Sequence, residues 1–228
     1  MKPYAVVVAR LVREKRPRTI LDAPCGEGWL AGELDFDCRI DGVDLYRNAP
    51  ARYARFESAD LDAGLPEALG RYEAVVCCEG LEHLGNPLLF LRSAHRHLES
   101  RGVLIITTPN IWYPEARLQY LLRGFFPGFP SLAGAIRPGT HMHITPWSFA
   151  QLYLYLRLAG FEAIRLHDVE GDPRPKRLYE WLLGLPQYLY CRARARRARS
   201  DEERDYWRDA GRRQSVWGRR LVVSAMRA

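Results

Sequence analysis

The chain has 228 residues, of which 47% are apolar and 27% are charged, and its formal net charge is +7. This length is enough to bury one sizeable core, and the apolar content excludes an intrinsically disordered chain. The positive charge favours anionic partners, such as an acidic lipid surface, nucleic acid or an acidic metabolite. We therefore expect one globular domain over residues 1–228.

The five cysteines and the apolar runs indicate the cellular compartment in which the protein is expected. The cysteines include no C-x-x-C pair, so they indicate neither a zinc site nor a disulfide framework. No apolar run is long enough to span a bilayer, and residues 1–18 do not have the pattern of a cleavable signal peptide. We expect a cytoplasmic protein.

The first predicted elements are a helix, a strand and a glycine-containing loop. Apolar residues at helical spacing predict an amphipathic helix over residues 3–14. The apolar run at 19–23 predicts a buried strand, which leads directly into the loop PCGEG (24–28). A helix is expected after the loop, over residues 28–34.

This loop has the features of a nucleotide-binding turn. A strand that runs into a tight loop and then a helix presents backbone N–H groups to a ligand. Gly26 and Gly28 permit positive φ and a close approach of the backbone to that ligand. Asp22, at the strand end, could hold a cationic group. Asp44 ends the next predicted strand, 39–44, at the spacing at which a carboxylate meets ribose hydroxyls.

Strands and helices alternate through the rest of the chain. Further strands are predicted at 55–58, 72–78, 103–108, 161–169 and 220–226. Helices are predicted at 87–98 and 146–159, the second with Thr145 as N-cap and Pro146 at its first position. The alternation predicts an α/β fold, a doubly wound seven-stranded and mostly parallel sheet with helices on both faces.

Two stretches interrupt this alternation. Residues 110–143 are rich in aromatic residues, proline and glycine, and we expect a lid or substrate-binding insertion there. Residues 171–219 form a second expected insertion, in which an apolar and aromatic segment at 178–190 precedes a run of arginines. These arginines are Arg192, Arg194, Arg196, Arg197 and Arg199.

The arginine run has three interpretations. It could be the solvated face of a helix. Together with the apolar residues before it, the segment 178–199 could contact an anionic membrane, which would make the protein peripherally membrane-associated. It could also bind nucleic acid, but this is disfavoured because Asp201, Glu202, Glu203 and Asp205 would partly neutralise it.

Four segments together resemble the class I S-adenosylmethionine-dependent methyltransferases. They are ILDAPCGEGWL (20–30), DGVDL (41–45), ESADLDAGLP (57–66) and the stretch from YEAVVCCEGLEHLGNP to RGVLIITTPN (72–110). The last contains Glu-x-x-Glu-His after a strand, as in the small-molecule branch of that family. The segment RPGTHMHITPWSFAQLYLYLRLAGFE (137–162) is similar to quinone-biosynthesis O-methyltransferases of the UbiG type. The closing strand would be the family's antiparallel seventh.

The resemblance implies S-adenosyl-L-methionine as the cofactor and S-adenosyl-L-homocysteine as its product. Asp22 and the backbone of the loop would hold the methionine part. The loop residues concerned are Ala23, Cys25, Gly26 and Gly28. Asp44 would accept both ribose hydroxyls, with Leu45 against the adenine.

The resemblance also implies contacts on the far side of the adenine and near the reacting methyl group. Asp60 would meet the adenine amino group, with Leu61 beside it. Backbone at Cys78 and Glu79 would line the path towards the methyl group.

One departure from the family's pattern is Pro24, which stands where the first glycine of the loop is usual. Proline fixes φ at about −65°, so the loop must turn without a flexible residue there. A nicotinamide-dependent dehydrogenase is the nearest rival. The acid before the loop, the missing third glycine and the context of the final strand argue against it.

Methyl transfer to a hydroxyl benefits from a general base, and histidine is the natural side chain for it. The candidates are His83, His141 and His143. The last two would lie on one side of an extended segment, or they could cap the next helix or hold the lid.

A divalent cation is an alternative role for one of these histidines. Glu79, Glu82 and His83 could bind such a cation, as similar quinone O-methyltransferases suggest. Glu-His also occurs in relatives that need no metal, and we expect none.

The aromatic residues of the first insertion could wall an acceptor pocket or form the core of the insertion. They are Trp112, Tyr113, Phe125, Phe126 and Phe129.

We expect a methyltransferase that acts on an oxygen of a small-molecule or lipid-like acceptor. Methylation of RNA or protein, and a catalytically silent scaffold with the same fold, are the alternatives.

Overall fold

The computed structural model describes residues 2–45, 49–128, 143–172, 175 and 177–228. These residues form one seven-stranded sheet. Its strands are β1 (Thr19–Asp22), β2 (Arg39–Asp44), β3 (Arg55–Ser58), β4 (Tyr72–Cys78), β5 (Leu98–Pro109), β6 (Phe161–His167) and β7 (Arg220–Arg227). Their order in the sheet is β3-β2-β1-β4-β5-β7-β6. Strand β7 is antiparallel to β5 and β6, and the other pairs are parallel, which confirms the predicted mostly parallel sheet.

Helices cover both faces of this sheet, as the sequence predicts. They are α1 (Pro3–Lys15), α2 (Pro87–His97), α3 (Pro114–Arg123), α4 (Phe149–Leu158), α5 (Leu178–Arg196), α6 (Asp201–Ala210) and α7 (Arg213–Trp217). Successive residues of β1 point to opposite faces: Ile20 packs in the core under α1, and Leu21 packs in the core under α2, α4 and α6. In the part of the chain that the structure describes, no helix combines the length and apolarity that crossing a membrane requires.

The segment after the glycine loop differs from the prediction. A helix over 28–34 is wrong, because the structure has only a single 3-10 turn at Trp29–Gly32. Gly32, Asp35 and Asp37 are poor helix formers, and such a short segment does not offset the cost of nucleating a longer helix. The chain therefore crosses to β2 without a regular helix.

The start of α4 also differs from the prediction of a helix over 146–159. Ser148, not Thr145, is the N-cap, and its hydroxyl accepts a hydrogen bond from the Gln151 N–H at 3.3 Å. The Thr145 hydroxyl instead donates to the Leu84 carbonyl at 2.9 Å. This bond ties the segment before α4 to the turn that follows β4.

The two expected insertions contain helices. Residues 114–123 of the first form α3, and the second contributes α5, α6 and α7. Two predicted functional residues of the first stretch, His141 and Phe129, lie outside the described residues. The assignment of 110–143 and 171–219 as insertions in a single domain stays a prediction.

Asn110, directly after β5, ties the carboxyl end of the sheet to the C-terminal helices. Its buried side chain donates to the carbonyls of Ser215 at 2.9 Å and Gly218 at 2.8 Å. Its amide oxygen accepts from the Trp112 N–H at 2.9 Å. One side chain thus joins β5, the start of α3 and the turn that leads into β7.

We predict that Asn110→Ala lowers the free energy of unfolding by about 2–4 kcal/mol, because it leaves buried backbone groups without partners. Urea denaturation of the purified protein measures this loss. Asn86→Ala is the matched control, because Asn86 is exposed and its side chain makes no capping bond. The control should stay within about 0.5 kcal/mol of the wild type. Equal losses in the two variants would contradict the structural role of Asn110.

Candidate active site

The glycine loop follows β1 at the edge of the sheet where the parallel strands end. Gly26 and Gly28 have φ values of 52° and 77°, which confirms the predicted need for positive φ. A Cβ on Gly28 would lie 2.3 Å from the Cβ of Pro50. The close neighbour that requires glycine at position 28 is therefore Pro50 and not a ligand. A Cβ on Gly26 would have no atom of the described residues within 4 Å, so these residues leave open space beside Gly26.

Pro24 is accommodated by a glycine on the neighbouring strand connection. The Ala23–Pro24 peptide bond is cis. A Cβ on Gly80 would lie 2.3 Å from the Cδ of Pro24. The proline ring therefore packs directly on the backbone that follows β4, and Gly80 leaves the room for it.

Hydrogen bonds within the protein hold the loop in place. The N–H groups of the four predicted loop contacts donate as follows: Ala23 to the Val76 carbonyl, Cys25 to the Val43 carbonyl, Gly26 to Asp44 Oδ2 at 2.8 Å, and Gly28 to the Cys25 carbonyl. One oxygen of the Asp44 carboxylate thus stabilises the loop. The glycine loop and the acid at the end of β2 form one connected unit.

Asp22 is fully buried at the end of β1. Its Oδ2 accepts a hydrogen bond from the Tyr53 hydroxyl at 2.5 Å, and its Oδ1 has no partner among the described residues. The pKa of Asp22 is raised to about 7, mainly because burial disfavours the charged form; the Tyr53 hydrogen bond opposes this rise, and the nearby Asp44 adds to it. A buried carboxylate with one unpaired oxygen fits a cationic group such as the ammonium of S-adenosylmethionine.

Tyr53 is a site residue that sequence reasoning missed. Its ring lies 2.7 Å from the position of a Cβ on Gly42 and 3.2 Å from that of a Cβ on Gly28. Both contacts depend on the absence of a side chain at these glycines. Tyr53 lies in an irregular connection between β2 and β3, and no motif there could have identified it.

The predicted ribose and adenine residues occupy different environments. Asp44 is buried at the end of β2, whereas Leu45, the next residue, is exposed. Asp60 is exposed and accepts from the Asp62 N–H at 3.0 Å, and Leu61 is buried in the core. The placement is compatible with the predicted contacts, which stay predictions.

Glu79 follows β4 and contacts Arg220, which lines a cavity in the structure. It follows Cys78 at the end of β4 with φ 51°, and its N–H donates to the Thr107 carbonyl at 3.0 Å. Its carboxylate accepts from the Thr107 hydroxyl at 3.2 Å and pairs with Arg220 Nε at 3.2 Å. Burial raises the pKa of Glu79, and Arg220 opposes that shift.

This cavity has a volume of about 450 Å³ and lies where β5 ends and β7 begins. Its wall includes Tyr4, Asn110, Tyr113, His143, Arg219 and Arg220. Of the aromatic residues predicted to wall a pocket, Tyr113 lines this cavity. Trp112 and Phe125 are exposed, and Phe126 stacks on Tyr120 with 4.1 Å between the ring centroids.

The structure brings together two of the three predicted histidines. The rings of His83 and His143 lie 5.2 Å apart, and His143 is part of the cavity wall. Burial lowers the pKa of His143, and the nearby His83 and Arg220 lower it further. The third candidate, His141, is outside the described residues.

A possible metal site differs from the one that the sequence suggests. Glu82, His83 and His143 each offer a ligand atom, and these atoms lie within 4.8 Å of one another. Glu79 is not part of this group. Glu82 accepts from the Thr108 hydroxyl at 3.0 Å, and burial raises its pKa to about 8. One carboxylate and two imidazoles could hold a divalent cation.

Known proteins resemble this chain in sequence. A family model described as a methyltransferase domain matches residues 2–166. A probable S-adenosylmethionine-dependent methyltransferase of Mycobacterium tuberculosis is 34% identical over 113 residues, which cover 47% of this chain and 41% of that protein. The ubiquinone biosynthesis O-methyltransferase of Xanthomonas axonopodis pv. citri is 29% identical over 181 residues, covering 72% and 69%. This chain spans 41% to 58% of the length of the first curated relatives it matches.

Solved structures share the fold. The 1,6-didemethyltoxoflavin-N1-methyltransferase of Burkholderia thailandensis, with bound S-adenosylhomocysteine, aligns with a TM-score of 0.54 at 18% identity, covering 99% of this chain and 76% of that one. A methyltransferase of Archaeoglobus fulgidus aligns with a TM-score of 0.53 at 13% identity, covering 98% and 94%. With the family model, the strand order and the loop geometry in agreement, the chain belongs to the class I S-adenosylmethionine-dependent methyltransferases.

Proposed function

We propose that this chain transfers the methyl group of S-adenosylmethionine to an oxygen atom of a small-molecule or lipid-like acceptor. The observation that carries the proposal is the place of His143. It lies in the wall of the 450 Å³ cavity, whose wall also contains Arg220, the ion-pair partner of Glu79 at the end of β4. A histidine in this wall would lie next to an acceptor bound in the cavity and could take the proton from its hydroxyl group.

The residues around β1 and β2 would hold the cofactor. The unpaired Oδ1 of Asp22 would accept from its ammonium group, and Asp44 would accept from its ribose hydroxyls while still bracing Gly26. When bound, S-adenosylmethionine supplies a methyl group on a sulfonium, which is already a strong methyl donor. The protein therefore has to hold the acceptor in line and exclude water.

The residues around the cavity would handle the acceptor. Because the pKa of His143 is lowered, its imidazole is neutral at pH 7 and can take the proton that the acceptor hydroxyl loses. Tyr4 and Tyr113 give the wall an aromatic character. Arg219 pairs with Glu115 at 2.6 Å, and Arg220 pairs with Glu79, so both cations already have carboxylate partners.

The size of the cavity supports a small acceptor over a macromolecule, because about 450 Å³ is the volume of a typical small-molecule pocket. Relatives named ubiquinone biosynthesis O-methyltransferase support oxygen as the acceptor atom. The toxoflavin enzyme of the same fold is named for a nitrogen position. Because these names differ in the acceptor atom, the choice of oxygen rests mainly on His143 as a general base for a hydroxyl group.

We predict that the affinity for S-adenosylhomocysteine rises with pH up to about pH 7 and is constant just above it. A ligand ammonium beside Asp22 lowers the pKa of that carboxyl in the complex from its value of about 7 in the free protein. Below this value binding must displace a proton, so the affinity falls by up to about tenfold per pH unit. Equilibrium dialysis with labelled ligand between about pH 5.5 and 8.5 measures the profile.

Two variants sharpen this test. Asp22→Asn should weaken binding and remove the pH dependence, because no carboxyl is left to titrate. Tyr53→Phe removes the hydrogen bond that lowers the pKa of Asp22, so the rise in affinity should move to higher pH. A wild-type pH profile in Asp22→Asn would show that another group is responsible.

We predict that His143→Gln lowers the rate of methyl transfer by about 10²-fold or more, because a general base is lost. Its affinity for S-adenosylmethionine should stay within about twofold of the wild type. The assay is transfer of a labelled methyl group to a panel of phenols, catechols and hydroxylated lipids. His95→Gln is the matched control, because His95 lies on α2 and is absent from the cavity wall.

Four outcomes would overturn parts of the proposal. Full activity of His143→Gln would exclude it as the base. A loss of wild-type activity in EDTA that a divalent cation restores would assign His143 to a metal site with Glu82 and His83. Transfer only to RNA or protein would contradict the small acceptor, and cofactor binding without any transfer would favour a silent scaffold.

A further inference from the structure

Helix α5 carries a stripe of exposed leucines. Leu178, Leu182, Leu185 and Leu189 recur at spacings of four and three residues, which places them on one face of a helix. Their exposed fractions are 75%, 59%, 42% and 53%. A contiguous apolar surface of this kind on a folded protein marks an interaction site.

The opposite face of α5 is fixed against the protein. Gly184 and Cys191 are buried there. A Cβ on Gly184 would lie 2.2 Å from Nε1 of Trp217, so α5 rests directly on α7. This contact fixes the side of α5 that faces the protein, so the leucine stripe on the opposite side faces outwards.

Helix α3 extends the apolar surface. Leu121, Leu122 and Phe125, at and just after its carboxyl end, are exposed. Arg117 of α3 donates to the Leu183 carbonyl of α5 at 3.2 Å, which links the two helices. Two neighbouring helices thus expose apolar side chains.

The leucine stripe continues into an arginine-lined groove. Arg192 and Arg196 follow Leu189 at spacings of three and four residues, on the same face of α5. With Arg204 and Arg208 of α6 they line a groove of about 410 Å³. Among the described residues, Arg192 and Arg196 have no carboxylate partner within ion-pair distance, so the groove is cationic.

The acidic residues of α6 neutralise part of this groove, at Arg204 and Arg208, but none of them pairs with Arg192 or Arg196. Each pairs with another arginine: Asp201 with Arg204, Glu202 with Arg157, Glu203 with Arg194, Asp205 with Arg165 and Asp209 with Arg212. Only Arg204 of these partners lines the groove, and Arg208 is 3.7 Å from Asp205. The charges of Arg192 and Arg196 are therefore available to a ligand.

We propose that α5, together with α3, docks on an anionic lipid bilayer. The leucine stripe would enter the interface between headgroups and acyl chains, and the arginine groove would bind lipid phosphate. A bilayer surface offers an apolar layer next to an anionic layer, which is the arrangement along this face of α5. Nucleic acid offers phosphates but nothing to cover four exposed leucines. A second copy would have to supply carboxylates opposite Arg192 and Arg196, and those of α6 are already paired.

Vesicle flotation of the full chain tests the proposal, with phosphatidylcholine vesicles and with vesicles that also contain phosphatidylglycerol. The wild type should bind the anionic vesicles at least about tenfold more tightly, and high salt should weaken that binding. Arg192→Glu combined with Arg196→Glu should lower the affinity on the order of 30-fold. The matched control is Arg92→Glu combined with Arg96→Glu, two exposed arginines at the same spacing on α2.

The apolar contribution has its own pair of variants. Leu185→Gln combined with Leu189→Gln should weaken binding to anionic vesicles by about tenfold or more. Leu154→Gln combined with Leu158→Gln changes two exposed leucines at the same spacing on α4, and should leave binding unchanged. Unchanged thermal unfolding and unchanged affinity for S-adenosylhomocysteine verify that each variant is folded.

Several results would overturn the proposal. Equal binding to neutral and anionic vesicles, or wild-type binding by the Arg192/Arg196 double variant, would exclude the arginine groove as a lipid site. A dimer in solution that the Leu185/Leu189 variant converts to a monomer, without vesicle binding by the wild type, would assign the stripe to a second copy. Binding to RNA in place of vesicles would assign the groove to nucleic acid.

Discussion

One buried carboxyl group, that of Asp22, imposes the central electrostatic constraint on the candidate cofactor site. Asp22 ends a central strand with no solvent exposure, and the protein gives it one close hydrogen-bond donor, Tyr53. An isolated charge in such a place is strongly disfavoured, so the pKa rises to about 7 and the carboxyl holds its proton more tightly than usual. A positively charged ligand that pairs with the remaining oxygen, Oδ1, would stabilise the ionised carboxylate. Under the proposed function, this oxygen would therefore bind the ammonium group of the cofactor.

The proposed acceptor cavity borders the closing strand β7, which follows the C-terminal helices in the chain. Strand β7 inserts between β5 and β6, which brings Arg220 to the carboxylate of Glu79 and places both beside the cavity. Asn110 joins the same end of β5 to the residues between α7 and β7. The C-terminal helices that carry the leucine stripe and the arginine groove are thus connected to the cavity by buried hydrogen bonds. A membrane-bound α5 would keep that cavity near the lipid surface, where a lipid-like acceptor is found.

Much of the fold follows from local sequence, and much of the site does not. The apolar strand at 72–78 and the two positive-φ glycines follow from apolar runs and from backbone sterics. The helix over 28–34 and the cap at Thr145 were wrong, because a short acidic connection and a tertiary hydrogen bond to Leu84 decide those regions. Tyr53 and the pairing of His83 with His143 arise from irregular segments whose paths depend on distant packing. No spacing in the sequence encodes those contacts.

The most direct test of the central claim is a calorimetric titration of the purified protein with S-adenosylhomocysteine, with NAD as the comparison ligand. The account predicts binding of S-adenosylhomocysteine with a micromolar dissociation constant and no binding of NAD. Such a result would support the proposed cofactor contacts of Asp22, Gly26 and Asp44. Binding of NAD in its place, or of neither ligand, would contradict the account.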